Sequence, residues 1–354
     1  MTIQTGTGGP KLLADLLPET VAEMARRAAR PDFDRWQAQA KSCGHCARPI
    51  RLRGVTLTHT ADARLVDGYS TAMEPDGVAY IRCGNRRAVV CPSCSHEYQG
   101  DMWHLLFAGV AGGIKNVPET VAEHPLAFVT LTAPSFGPVH TTRGPGQPSR
   151  PARKPSRCRH SRPQQCRRIH TDSDPELGSP PCPECYDYGG QVAFNWYAPE
   201  LWRRFTITLR RHLADLLGIR RSQLDDHLVV SFAKVAEFQR RGVVHFHALI
   251  RLDGPGEGYP APALRVTVDQ LRQAVSTAAP AVEVTTDPYK PDGPAWRLQF
   301  GEQLDIRPVH GAANRDASIG PMHPEMVAAY ATRSRNFAGR LRRACADSQS
   351  AGTH

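Results

Sequence analysis

Glu237-Phe-Gln-Arg-Arg-Gly-Val-Val-His-Phe-His-Ala-Leu-Ile-Arg251 is the stretch that decides how this chain is read. Alternate side chains of a strand share a face. Val244, Phe246, Ala248, Ile250 and Leu252 are all apolar and face one way, while His245 and His247 face the other. Arg240-Arg241-Gly242 reads as the turn back to a preceding strand over 228–238. A turn centred on Arg241 sets Glu237 opposite His245 and Val235 opposite His247. Cross-strand neighbours have Cβ atoms about 4.5–5.5 Å apart, so two imidazoles and one carboxylate converge above the sheet. A register slip of one residue sends Glu237 to the other face. Imidazole plus carboxylate suits Mn²⁺ or Mg²⁺ holding phosphate oxygens. A His-x-His pair without an ion is the plainer alternative. The opposed Glu and the wholly apolar reverse face weigh for the metal site.

Outward from this hairpin, Phe128-Val-Thr-Leu-Thr132 is a β-branched strand ended by Pro134 and Gly137. Thr130 and Thr132 share one of its faces. Residues 138–181 are rich in Pro, Arg, Gly and Ser with no apolar periodicity, which reads as a long insertion needing an anchor. Trp202, Phe205, Leu209, Leu213 and Leu216 mark a helix from about Trp196. Thr267–Ala278 reads as a short helix, Trp296–Phe300 and Gln303–Pro308 as strands, and a last helix begins near Pro324. The order predicts an α+β domain with a mostly antiparallel sheet over residues 125–345. Residues 1–40 read as helical, with Pro18 as a break, and 41–100 hold short strand-like pieces. The expected organisation is a helical segment at 1–40, a metal-braced region at 41–120, a catalytic-type domain at 121–345 with an insertion at 138–188, and a disordered tail at 346–354.

Ten cysteines in a chain with no secretory signal read as zinc ligands before disulfides. Cys43-Gly-His-Cys46 and Cys91-Pro-Ser-Cys94 are two Cys-x-x-Cys knuckles and together supply a closed four-thiolate zinc site, with Cys83 and His45 as spare candidates. A second zinc site is expected from Cys182-Pro-Glu-Cys185 completed by Cys158 and Cys166, with His160 as a rival to Cys166. A Pro-rich insertion cannot bury enough surface to fold alone, so a metal would anchor it.

The chain has 354 residues and carries 44 Lys+Arg against 34 Asp+Glu, for a formal charge of +10. A basic surface gathers phosphates, which points to a polyanionic partner. Lys occurs only six times, and so heavy an Arg bias also arises from a GC-rich genome. Apolar runs such as 105–114 fall far short of the roughly 20 residues a bilayer span needs. A cytoplasmic protein without membrane partners is the expectation.

Several of these segments together resemble a known family. Phe128-Val-Thr-Leu-Thr-Ala-Pro-Ser-Phe-Gly137 and the Glu237–Arg251 hairpin, with Cys83-Gly-Asn-Arg-Arg87, Cys91-Pro-Ser-Cys94, Cys182-Pro-Glu-Cys-Tyr-Asp-Tyr188 and Leu304-Asp-Ile-Arg-Pro308, resemble the replication initiators of actinobacterial rolling-circle plasmids. Those belong to the HUH endonucleases, named for His-hydrophobic-His. The resemblance spans about residues 41–335. It implies a ferredoxin-like (RRM-like) catalytic fold, and a metal held by the two histidines against the scissile phosphate of single-stranded or supercoiled origin DNA. It also implies a tyrosine nucleophile that leaves a 5′-phosphotyrosine and a 3′-OH primer, with host helicase and polymerase as further partners. Tyr330, in Pro324-Glu-Met-Val-Ala-Ala-Tyr-Ala-Thr-Arg333, maps onto the family's tyrosine helix. Family members commonly carry Tyr-x-x-Lys, often with a second Tyr directly after the first. Here Arg333 stands in place of the Lys and no second Tyr follows. Two other classes share these features: a non-catalytic zinc-containing DNA-binding regulator, and an HUH relaxase or transposase.

Overall fold

The structure is a computed structural model that describes residues 17–309, apart from 145, 150–155, 167, 289 and 294. The chain divides into two compact units with the boundary between Tyr98 and Gln99. In the first, α1 (Pro18–Ala28) and α2 (Phe33–Ser42) are followed by four short strands, β1 (Ile50–Leu52), β2 (Val55–His59), β3 (Leu65–Ser70) and β4 (Ala79–Ile81). β1 pairs with β4 and β2 with β3, both antiparallel. Strands this short bury almost nothing: β1 and β2 are exposed throughout. The buried centre here is instead a cluster of Cys43, Cys46, Cys91 and Cys94 with Tyr80 and Cys83 against it. The helix α3 (Pro92–Ala111) carries the chain across the boundary.

The second unit contains β5 (Leu126–Leu131), α4 (Tyr188–Leu217), β6 (Val229–Phe238), β7 (Val244–Asp253), α5 (Val268–Ala278), β8 (Glu283–Thr285), β9 (Arg297–Gln299) and β10 (Leu304–Pro308). Its main sheet has four strands in the order β10-β5-β7-β6, and every neighbouring pair is antiparallel. β5 and β6 therefore run parallel with β7 between them, and β7 and β10 run parallel with β5 between them. Each of these crossovers contains a helix, α4 or α5. β8 and β9 form a separate antiparallel pair.

The apolar alternation read in β7 sets the layering. Val244, Phe246, Ala248, Ile250 and Leu252 join Ala127, Val129 and Leu131 of β5 in one core with α4 and α5. α4 drives Phe194, Leu201, Phe205, Leu209 and Leu213 into it, each at most 1% exposed. At about 1.5–3 kcal/mol per fully buried large side chain, this one helix supplies much of the unit's cohesion. α4 begins at Tyr188 rather than Trp196. Asp187 caps it by accepting from the Gly190 N–H, and Gly218 in the left-handed conformation (φ 66°) ends it. α5 opens on a capping box between Thr267 and Gln270.

Both crossover helices lie on one sheet face, so the face carrying His245 and His247 is left free of them. No helix among the described residues is long and apolar enough to cross a membrane.

Candidate functional site

The register expected for the hairpin is the one observed: Glu237 pairs with His245 and Val235 with His247. His245 Nε2 and His247 Nε2 are 3.0 Å apart, and each lies 3.3 Å from Glu237 Oε2. Three potential ligand atoms thus form a small triangle over the sheet. His247 is 2% exposed, whereas the Glu237 side chain is 36% exposed, so the site opens on the Glu237 side.

The far nitrogens of both rings are held as well. Thr130, paired with His247 across β5 and β7, places Oγ1 3.0 Å from His247 Nδ1. Phe128 stacks on the same ring at 5.6 Å, 12° from parallel. The Gln239 amide lies 3.3 Å from His245 Nδ1, and its oxygen accepts from Arg241 Nε at 2.8 Å. When His247 Nδ1–H donates to Thr130, its Nε2 presents a lone pair to the triangle. The Glu237 oxygen offers only lone pairs. Hydrogen bonding to His245 and His247 outweighs burial and holds the Glu237 carboxyl down at about 2. Edges of 3.0–3.3 Å match adjacent ligands around an ion at about 2.1–2.3 Å, the range of small divalent cations with oxygen and imidazole donors. The donor set and its spacing therefore fit Mg²⁺ or Mn²⁺. Thr132, on the same strand face as Thr130, is spent on structure: its hydroxyl donates to the Gln303 carbonyl at 2.6 Å. Tyr330 and Arg333 lie outside the described residues.

The cysteines gather in two further groups. In the first unit Cys46, Cys83, Cys91 and Cys94 bring their sulfurs within 4.8 Å of one another, and the Cys46–Cys91 and Cys83–Cys94 distances are both 3.7 Å. A tetrahedron of thiolates bonded at about 2.3 Å has edges of about 3.8 Å. Backbone N–H groups of Cys83, Ala47 and Asn85 point at the sulfurs of Cys46, Cys91 and Cys83. The backbone N–H of Cys94 leads in pulling the Cys91 thiol down to about 5. At Cys83 the Asn85 N–H acts in the same direction, but burial and the neighbouring sulfurs prevail and push the thiol up to about 12. Cys43, expected as a ligand, is buried in this cluster but outside the four-sulfur group. Its thiol caps the last turn of α2 by donating to the Ala40 carbonyl at 3.4 Å, and Cys83 stands in the fourth position.

In the insertion the group is Cys158, His160, Cys182 and Cys185. Cys158 and His160 sit on one tight turn closed by Cys158 N–H to Arg162 O and Ser161 N–H to Cys158 O, both 2.9 Å, which turns the two side chains the same way. His160 Nδ1 is 3.3 Å from Cys185 Sγ and 3.6 Å from Cys182 Sγ. Of the two rivals named from the sequence, it is His160 and not Cys166 that lies in this group. Cys166 lies instead beside His170, with Sγ to Nε2 at 3.0 Å.

Two contributors escaped the sequence reading: Thr130, read only as sharing a strand face with Thr132, and Gln239, which carries no signal beyond its place at the hairpin turn. Cys83, a spare candidate because it belongs to no Cys-x-x-Cys spacing, lies in the four-sulfur group.

Comparison with known proteins gives the family. A family model described as "Replication initiator protein, pSAM2" matches residues 32–350. A replication initiator protein of Streptomyces ambofaciens is 42% identical over 337 residues, covering 94% of this chain and 70% of that protein. No solved structure matches the chain. On matches that run through nearly its whole length, the chain belongs to the family of replication initiator proteins represented by that of pSAM2.

Proposed function

We propose that this replication initiator nicks one strand of its plasmid origin by tyrosine transesterification, as an HUH endonuclease, with Glu237, His245 and His247 holding Mg²⁺ or Mn²⁺. The observation that carries this reading is the triangle of ligand atoms, 3.0–3.3 Å on a side, on a sheet face that stays open beside Glu237. The strand order supports the fold assignment: β5, α4, β6, β7, α5 and β10 follow the β-α-β-β-α-β sequence of ferredoxin-like domains, with the first and third strands central.

When bound, the ion supplies positive charge at a non-bridging oxygen of the scissile phosphate. Glu237 remains ionised at neutral pH to help hold that charge. Thr130 and Gln239 keep the imidazoles aimed at it. The Tyr330 phenol oxygen forms a bond to phosphorus as the bond from phosphorus to the 3′ oxygen breaks. The phenolic proton is balanced by the proton taken up at the 3′ oxygen. The products are a 5′-phosphotyrosine and a free 3′-OH that primes synthesis by host polymerase behind a host helicase. One phosphodiester replaces another, so the link can later be rejoined. Arg333, three residues beyond Tyr330 in the sequence, would bring a positive charge to the phosphate. The Cys46-Cys83-Cys91-Cys94 and Cys158-His160-Cys182-Cys185 groups hold structural Zn²⁺.

The test uses the full chain with single-stranded oligonucleotides tiling the DNA beside its coding sequence, with Mn²⁺ or Mg²⁺, resolved under denaturing conditions. A metal-dependent covalent adduct is expected, absent in Tyr330→Phe and His247→Ala while origin binding persists. Origin binding with no adduct under either metal overturns the nicking reading and leaves a DNA-binding regulator. An adduct in Tyr330→Phe moves the nucleophile elsewhere.

A further inference from the structure

Cys166 does not stand idle after His160 takes its expected place. Its sulfur lies 3.0 Å from His170 Nε2, and His140 Nδ1 lies 2.9 Å from the same nitrogen. The three donor atoms fall within 4.8 Å of one another. His170 is completely buried.

The hydrogens decide what this contact is. Asp174 Oδ2 sits 2.7 Å from His170 Nδ1, and an ionised carboxylate only accepts. An imidazole hydrogen is therefore on Nδ1, and in the neutral ring Nε2 presents a single lone pair. One hydrogen bond satisfies it, yet two atoms crowd it at 2.9 and 3.0 Å. One of them is a sulfur well inside ordinary N···S contact. The Arg168 backbone N–H is aimed at that sulfur at 3.2 Å, as it would be at a thiolate. Carboxylate, imidazole and a shared point of convergence are the arrangement by which a metal-bound histidine is oriented from behind.

The backbone is arranged to deliver these side chains. His140 exchanges two bonds with the 178–179 turn, N–H to Ser179 O and Gly178 N–H to its own carbonyl, both 2.9 Å. His170 is fixed by Ser149, whose Oγ accepts from the His170 N–H at 2.7 Å. Gly178, with φ +88°, lets this turn press on the hairpin of the candidate active site: a Cβ there would meet the Arg240 carbonyl carbon at 2.6 Å. The Arg240 guanidinium also donates to the Asp172 carbonyl.

We propose that His140, Cys166 and His170 bind a further transition-metal ion of the Zn²⁺ class, distinct from the one assigned to Cys158, His160, Cys182 and Cys185. Two imidazoles and one thiolate leave a fourth position for water, as in open zinc sites. The ion clasps two separate stretches of the insertion, at His140 and at Cys166–His170, where it abuts the Arg240–Gly242 turn, and so anchors a segment too poor in apolar residues to anchor itself. This inference rests on none of the residues that carry the nicking reading.

The test is the metal content of the purified full chain, measured for all first-row metals per polypeptide. His140→Gln and Cys166→Ser each lose one equivalent relative to the native chain. Cys182→Ser loses a different one, so His140→Gln combined with Cys182→Ser loses two. His140→Cys, which returns a ligand atom, keeps the equivalent. Full metal content in His140→Gln overturns the proposal, as does loss of the same single equivalent by Cys166→Ser, Cys182→Ser and their combination. A loss in His140→Cys as complete as in His140→Gln also overturns it, since the side chain would then matter for the fold and not as a donor.

Discussion

Asp253 and Glu237 sit at opposite ends of the same sheet face, each beside a histidine, and they differ in how far the carboxylate is closed off from solvent. Asp253 accepts from His124 Nδ1 and Arg251 Nε at 2.7 Å, from Arg251 Nη2 at 3.0 Å and from Ser231 Oγ. Arg251 in turn donates to the Gly109 carbonyl. His124 and Asp253 are each 3% exposed at the side chain. Here a carboxylate is matched by donors and sealed. Around Glu237, three potential ligand atoms converge 3.0–3.3 Å apart, and the side chain is 36% exposed. The same residue types are closed upon themselves at one end and left partly open to solvent at the other. Burial works to raise the Asp253 carboxyl, and hydrogen bonds from His124 and Arg251 overcome it, so its value lies below the usual 3.8.

Breaking the sealed end has the largest expected effect. Asp253→Ala leaves the Arg251 charge buried and unpaired, and stability falls by about 3–5 kcal/mol in urea unfolding. Glu237→Gln, measured with chelator present, changes stability by less than about 1 kcal/mol, because that carboxylate is partly solvated. Equal losses in the two variants would erase the distinction between the ends. Acid sharpens it. Below 3.8 the unfolded chain takes up a proton at Asp253 that the folded chain still refuses, so stability falls with falling pH there. The Asp253 contribution is full above 3.8 and declines beneath it, and the gap between the native chain and Asp253→Asn should close over that range. A constant gap would show that Asp253 is not ionised in the folded chain. Thr130→Val comes next: removing the hydroxyl behind His247 lowers Mn²⁺ affinity about 10–100-fold in calorimetric titration, while unfolding shifts little. Gln239→Ala gives a smaller loss of affinity, its contact being 3.3 Å on the open side of the site.

The hairpin was legible in the sequence because three signals agreed: a turn glycine, an unbroken apolar face and an opposed Glu. α4 was found by its Trp202–Leu213 stripe but started late, since Gly189, Gly190 and Pro199 obscure its first turns. α3 was missed. Trp103, Leu105, Leu106, Phe107, Ala108 and Val110 crowd its second half, so no single apolar stripe emerges. β3 was missed because its residues are nearly all exposed and carry no buried alternation. The metal groups show the limit of spacing arguments. Cys-x-x-Cys pairs were visible, but that Cys83 rather than Cys43, and His160 rather than Cys166, gathers with them depends on where turns aim side chains from residues far apart in the chain. His140, a single histidine in a Pro-rich stretch, had no local pattern at all.

Mn²⁺ binding to the full chain, followed by electron paramagnetic resonance, tests the central claim most directly. One bound Mn²⁺ coupled to two imidazole nitrogens is predicted in the native chain, with binding lost in His247→Ala and weakened in Glu237→Gln. Mn²⁺ bound without nitrogen coupling, or bound equally well by His247→Ala, would contradict a cation held by Glu237, His245 and His247.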